Sequence, residues 1–271
     1  MTYAKAFAKI NIGLLVGRLR EDGKHEIVTL LQRIDLGDDI WLEPAVELAV
    51  EGFAEDTIVR AALESIARAA GVEPRWRAHI EKRIPVASGL GGGSSDAAAA
   101  LGLANALLTS PLARESLHCL ASDLGSDVPF FLETGAQLAT GDGSDLELVE
   151  LPTDYHVVLV VPTGSVKAST AAVYRAFDER GDGEALAGRM ASFRRVVERV
   201  SRPEDLGALP PNDLVSSPLA ERLRATGAFR ADVSGAGPTV YGLFERKDAA
   251  DAAAEELGEV GRTIVARPVA R

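Results

Sequence analysis

IPVASGLGGGSSDAAAAL, residues 84–101, sets four glycines and two adjacent serines directly ahead of an alanine-rich run. A helix leaves its first N–H groups unpaired and carries partial positive charge at that end. Glycines let a backbone come close to a ligand, so a glycine-rich entry into a helix suits phosphate. Ala97, Leu101, Ala104 and Leu108 recur at spacings of four, three and four, which predicts a helix starting at Ser94 to Asp96. Asp96 then falls in the first turn, where a carboxylate complements the helix dipole. Upstream, RWRAHIEKRI (75–84) reads as extended, so the loop lies between a strand and a helix. No G-x-x-x-x-G-K-[ST] occurs, and a dinucleotide fingerprint begun at Gly89 would need glycine where Ser94 stands. The common nucleotide-binding motifs are therefore absent.

Outward from the loop, Ala4 to Leu14 alternates: Lys5, Phe7, Lys9 and Asn11 share one strand face, Ile10, Ile12 and Leu14 the other. Asp22 and Gly23 supply a turn before IVTLLQRIDL (27–36), a hairpin-like arrangement, and IWLEPAVELAVEG (40–52) continues extended. DTIVRAALESIARAAG (56–71) has helical spacing with Gly71 as its stop, and LARESLHCLASDLG (112–125) is a second helix. In SDVPFFLETGAQLATGDG (126–143), Pro129 and the glycines argue against helix. HVVLVVP (156–162) is an apolar run of the kind that fills a sheet centre. A boundary near Thr153 divides the chain into domains 1–153 and 154–271. The second holds helices around 169–179, 183–200 and 247–260 and strands around 239–244 and 263–270. Strands and helices mix without regular alternation, which predicts an α+β fold.

A chain of 271 residues with 46% apolar side chains can bury a sizeable core, and its net charge of -11 has the wrong sign for wrapping nucleic acid or coating an anionic membrane. Cys119 is the only cysteine, which excludes an internal disulfide framework and reads as a small apolar helix residue. No run of about 18 apolar residues predicts a membrane span. These features point to a soluble protein in a reducing, cytoplasmic setting. No apolar face is long enough to name as an interface, so oligomeric state is left open.

Two charged residues stand out as a pair. Asp127, in LGSDVPFF, occupies a position where aspartate ordinarily caps a helix or starts a turn, and Lys9 is a strand lysine, ordinarily solvated. Phosphoryl transfer to an alcohol needs a group that accepts or orients the hydroxyl proton and a cation that offsets developing charge. Asp127 and Lys9 together would supply both. A third glycine loop, DVSGAGPTVYGLF (232–244), offers Gly235 and Gly237 for backbone N–H contact with an anion, or simply turns tightly into a strand. His25 has no partner at metal-ligand spacing, and no residue is assigned to a metal.

AKINIGLLVGRLREDGKHEI at the start, the central loop, LGSDVPFF, PNDL (211–214) and SGAGPTVYGLF together resemble the small-molecule kinases of the galactokinase, homoserine kinase, mevalonate kinase and phosphomevalonate kinase (GHMP) group. Within the group they are most similar to the kinases of a cytidine diphosphate-linked methylerythritol, in the non-mevalonate isoprenoid pathway. The resemblance implies a two-domain fold, an N-terminal half like a ribosomal-protein domain and a C-terminal ferredoxin-like half, with the active site in the cleft between them. It implies ATP with Mg2+. Pro85, Val86, Ala87, Ser88, Gly89, Leu90, Gly91, Gly92, Gly93, Ser94 and Ser95 would hold the ATP phosphates, and Thr57 would lie by the adenosine. Lys9 and Asp127 would be catalytic. Asn11, Lys24, His25, Thr170, Gly235 and Gly237 would face the acceptor, with His25 on its cytosine. The chain departs from the group's pattern where Lys24 replaces an aromatic residue, where Thr57 replaces an asparagine, and in PTGSVKAST (162–170), which lacks an aromatic. Two alternatives stay open: a kinase of the same fold acting on mevalonate, a mevalonate phosphate or a similar alcohol, with Lys24 meeting an anion, and a nucleotide-binding homologue without turnover.

Overall fold

The structure, a computed structural model, describes residues 1–56, 58–164, 169–181 and 186–270. They gather into two compact units interleaved along the chain: residues 1–8, 36–86 and 91–134 form unit 1, and 9–35, 87–90 and 135 onward form unit 2. Two long strands, β1 (Thr2–Leu19) and β2 (His25–Pro44), contribute residues to both.

In unit 1, the end of β2 pairs antiparallel with β4 (Trp76–Glu81), Asp39 opposite Glu81 and Pro44 opposite Trp76. The short β3 (Ala49–Glu51) runs parallel to β4 on its other side. Trp76, Ala78 and Ile80 alternate inward from β4, as period-two patterning requires. Against them pack α1 (Ile58–Ala70) and α2 (Gly92–Leu107), with α3 (Arg114–Leu124) and α4 (Val128–Leu132) alongside. Ala97, Ala100 and Ala104 keep α2 thin enough for α1 to lie close, and Val59, Leu63 and Ile66 of α1 are fully buried.

Three local expectations need correction in this unit. α2 begins at Gly92, two residues before the serines, with Gly91 as a left-handed N-cap (φ 73°). Asp96 is therefore past the first turn. Pro129 does not prevent helix: it sits in the first turn of α4, where its missing N–H would have had no intrahelical partner. Cys119 is exposed on α3 instead of packed as an apolar filler.

In unit 2, the β1–β2 hairpin closes through Arg20 N–H on Lys24 O (2.7 Å), with Gly23 at φ 78°. The start of β2 pairs antiparallel with β5 (Ala136–Thr140), and β5 with β6 (Asp145–Val149). A second, antiparallel sheet holds β7 (His156–Pro162), which is followed by α5 (Thr170–Arg180), α6 (Leu186–Val197) and α7 (Pro218–Ala225). β8 (Arg230–Val233), β9 (Val240–Phe244), α8 (Lys247–Glu256) and β10 (Gly261–Ala266) complete it, in the order β10-β7-β9-β8. The apolar run 156–162 is indeed central, flanked by strands on both sides and buried at Val157 to Val160. α7 and α8 cover this sheet through Leu223, Ala250 and Ala253, joined by Leu257 just beyond α8. The α+β class expected from the sequence is observed. Among the described residues no helix is long and apolar enough to cross a membrane.

Candidate functional site

Three motifs distant in sequence meet in unit 2. Lys9 and Asn11 share a face of β1, as alternation predicts, and both are buried. The Lys9 ammonium donates to Asn11 Oδ1 at 2.7 Å, and Asn11 Nδ2 donates to Thr29 Oγ1 at 2.9 Å. Thr29 in turn donates to Gly13 O at 2.7 Å. This chain fixes the orientation of the Asn11 amide and so the place of the Lys9 charge. From the central loop, Leu90 O accepts from Lys9 N–H (2.9 Å), and Gly89 O accepts from the Ser234 hydroxyl (3.0 Å). Gly235 follows directly, at φ 58°: a Cβ there would lie 3.2 Å from Asn11 Oδ1 and 3.6 Å from Lys9 Nζ. Gly237, also left-handed, closes the turn by donating to Ser234 O at 3.0 Å.

Close approach is what the loop glycine is for. Gly89 has φ 83°, and a Cβ would sit 2.5 Å from Ser234 O and 2.9 Å from Gly237 O. Gly89→Ala is expected to lower stability by about 1–3 kcal/mol from backbone strain alone, read as a lower urea midpoint. Gly93→Ala is the control. It lies in α2, its added methyl would meet only Ile58 at 3.6 Å, and the midpoint should hold or rise.

The rest of the loop makes an entry into α2. Ala87, Gly89 and Gly91 alternate at positive φ (57°, 83° and 73°), a pattern that turns backbone N–H groups to one side. No side chain caps α2 at Gly91, and Ser95 N–H is already committed to Gly91 O at 2.9 Å. Pro85, Val86, Gly92 and Ser94 line the same stretch, while Ser88 and Ser95 are buried. Asp96 does not complement the dipole; its Oδ2 accepts from the Lys82 ammonium at 2.7 Å.

Beside the hairpin turn, His25 is buried and its Nε2 lies 2.7 Å from Asp178 of α5. The Tyr174 ring lies against the imidazole with centroids 4.8 Å apart and the planes tilted by 31°, and Phe177 meets it edge-on at 6.0 Å. Lys24 turns away to pair with Asp142, whose carboxyl this hydrogen bond holds down at about 2. Thr170 is the exposed first residue of α5, which Ser169 caps. Thr57 and residues 165–168 lie outside the described residues.

Asp127 lies in unit 1, half-buried at the N-cap position of α4, where its side chain makes no capping hydrogen bond. Two residues escaped the sequence reading. Asn212 donates through Nδ2 to Gly235 O (2.7 Å) and Val233 O (3.0 Å), bracing the third glycine loop. PNDL pointed to it, but no spacing rule gave it a role. Tyr174 was hidden as an ordinary residue of an amphipathic helix.

Family models describe both halves: the GHMP kinases N terminal domain matches residues 57–135, and the GHMP kinases C terminal model matches 183–263. A 4-diphosphocytidyl-2-C-methyl-D-erythritol kinase of Nocardia farcinica is 40% identical, over 98% of this chain and 91% of its own length. A solved 4-(cytidine 5'-diphospho)-2C-methyl-D-erythritol kinase superposes with a TM-score of 0.83 at 32% identity, covering the whole of both chains. The Methanococcus jannaschii mevalonate kinase, 13% identical with a TM-score of 0.76 over 99% of this chain and 98% of its own, shares the fold. With the glycine loop, the Lys9–Asn11 pair and the third glycine loop assembled as described, the chain belongs to the GHMP kinases, in the 4-diphosphocytidyl-2-C-methyl-D-erythritol kinase family.

Proposed function

We propose that the chain transfers the γ-phosphoryl group of ATP to the 2-hydroxyl of 4-diphosphocytidyl-2-C-methyl-D-erythritol. The observation that carries this reading is the likeness, along nearly the whole chain, to kinases named for that acceptor. We divide the chain for this purpose at residues 153 and 154, and the two family models fall on either side.

The backbone N–H groups of Val86 to Ser95 that are not used within the fold receive the phosphates, with Pro85 leading into the loop and Thr57 near the adenosine. Asp127 accepts or orients the acceptor's hydroxyl proton while Lys9, held by Asn11, offsets charge on the phosphoryl group in flight. Gly235 leaves room beside that ammonium for the substrate, and Gly237 closes the same turn. Magnesium bound with ATP would neutralise phosphate charge. Among the described residues no three His, Cys, Asp or Glu side chains cluster as a metal site. A cytoplasmic setting belongs to the same proposal.

For the cytosine, His25 supplies the polar edge, and Tyr174 supplies the ring that Lys24 does not. Thr170 begins the same helix. The mevalonate-type alternative called on Lys24 to meet an anion, yet that ammonium already pairs with Asp142. Base stacking is worth about 1–3 kcal/mol. Tyr174→Ala should therefore raise KM for the cytidine acceptor about 5- to 150-fold and leave KM for ATP in place. An unchanged acceptor KM would remove Tyr174 from the site. The reading as a whole is tested by ADP release with magnesium and ATP, offering the cytidine compound beside mevalonate and mevalonate phosphate. Turnover of the cytidine compound alone, inhibited by free cytidine diphosphate, supports it. Turnover of a mevalonate-type alcohol instead overturns the acceptor, and nucleotide binding without turnover overturns the kinase.

A further inference from the structure

Both ends of the phosphate loop are tied to one buried ionic cluster in unit 1. Asp38, fully buried on β2, accepts through Oδ1 from the N–H groups of Arg83 (2.5 Å) and Ile84 (2.8 Å), the residues that lead into the loop. Its Oδ2 accepts from the Lys82 ammonium at 2.5 Å. The same ammonium reaches Asp96, 98% buried on the far side of the loop, at 2.7 Å. Ile84 and Asp96, which flank residues 85–95, are thus clasped through a shared lysine. The clasp also touches the helix start: a Cβ on Gly92 would lie 3.4 Å from Lys82 Nζ and 3.1 Å from the Ile84 side chain.

The balance of charge in this clasp is unusual. Two carboxylates face one ammonium, so with both ionised the cluster is negative just where the loop would receive a polyphosphate. Asp96 Oδ1 is buried with no hydrogen-bond partner among the described residues, which marks this carboxyl as the poorly satisfied member. Asp38, by contrast, accepts three hydrogen bonds. We propose that Asp96 is a positioning residue that takes up one proton when nucleotide binds, so that the clasp holds the loop ends as a neutral unit beneath the phosphates. The inference rests on the loop's role in the reading above.

Burial pushes the Asp96 carboxyl up to about 7, against the opposing pull of Lys82. Lys82 and Asp38 are the charged groups that act on it; the helices packed on α2 bury Val59, Leu63 and Ile66 from α1, Ala121 from α3, and Val128 and Phe130 from α4. A bound anion raises a neighbouring carboxyl further, so binding draws in a proton, and affinity falls as pH rises through the titration. Each unit of that rise is about tenfold in affinity.

The test is calorimetry of magnesium adenylyl imidodiphosphate on the full chain between pH 6 and 8.5, in buffers of different ionisation enthalpy. Net proton uptake near neutral pH is expected, with affinity falling severalfold or more toward alkaline pH. Asp96→Asn, neutral at every pH, should bind with no such uptake and, at high pH, more tightly than the unaltered chain. The difference between the two removes the nucleotide's own titration. Should that variant not fold, carbon-13 carboxyl spectra of the unaltered protein serve: an aspartate titrating near neutrality must move to higher pH when the analogue is added. Binding without uptake, without that movement, or with equal pH dependence in Asp96→Asn overturns this inference alone. Failure of the analogue to bind at all overturns it together with the assignment of the loop.

Discussion

Asp127→Asn is expected to lower kcat by about 10²- to 10⁴-fold, the range over which a positioned acid or base acts, while ATP affinity and the unfolding midpoint change little. The separation of these effects follows from where Asp127 stands. It occupies the N-cap position of α4, so a destabilising substitution would be no surprise, but its side chain makes no cap there, and asparagine is as good an N-cap as aspartate. The exchange keeps shape and removes charge and basicity. α4 itself is held by Val128 and Phe130, both fully buried, and neither is touched. A loose phosphoryl-transfer transition state asks little base strength of its carboxylate, so an effect near the lower end would mean that Asp127 mainly aligns the hydroxyl. Single-turnover rates with saturating ATP, beside a urea unfolding curve, make the comparison. A variant within about threefold of the unaltered rate, well below what general acid–base work contributes, would take Asp127 out of the chemistry.

What the amino-acid order disclosed divides along physical lines. Alternation in β1 placed Lys9 and Asn11 on one face because a strand has only two faces, and the hydrogen bond between them follows at once. The continuous apolar run of β7 identified the sheet centre for a similar reason. Helix starts were harder. Glycine is a poor helix former, so propensity pushed the start of α2 toward the serines, whereas Gly91 in a left-handed cap begins it at Gly92. That shift of two residues moved Asp96 out of the first turn and hid its union with Lys82. Local rules carry no information about a partner fourteen positions upstream. The same holds for Tyr174 on His25 and Asn212 under Gly235, contacts that exist only once distant segments are folded together. The interleaving of the units, with residues 9–35 and 87–90 grouped with the C-terminal half, is likewise a property of long-range pairing, not of composition.

Lys9→Met should be the other large loss, about 10²- to 10³-fold in kcat, the usual result of deleting a group that stabilises transition-state charge. Methionine nearly matches the length of the lysine stem, so the buried volume is kept while the charge goes. The variant carries a structural penalty that must be separated from the catalytic one. Asn11 Oδ1 loses the donor now 2.7 Å away, and leaving a buried acceptor short costs about 1–3 kcal/mol of stability. Thr29→Val provides the comparison, since it breaks the same chain one step further on, at Asn11 Nδ2 and Gly13 O, and leaves the ammonium in place. If Lys9 acts on the transferring phosphoryl group, Lys9→Met loses far more kcat than Thr29→Val for a similar drop in midpoint. Equal losses would reduce Lys9 to a prop for Asn11. Lys9→Arg is not expected to rescue: Gly235 comes so close that even its missing Cβ would be 3.6 Å from Nζ, and a planar guanidinium has neither the compactness nor the direction of the ammonium. Restored turnover in the arginine variant would show that charge alone, and not its placement by Asn11, is what the transfer requires.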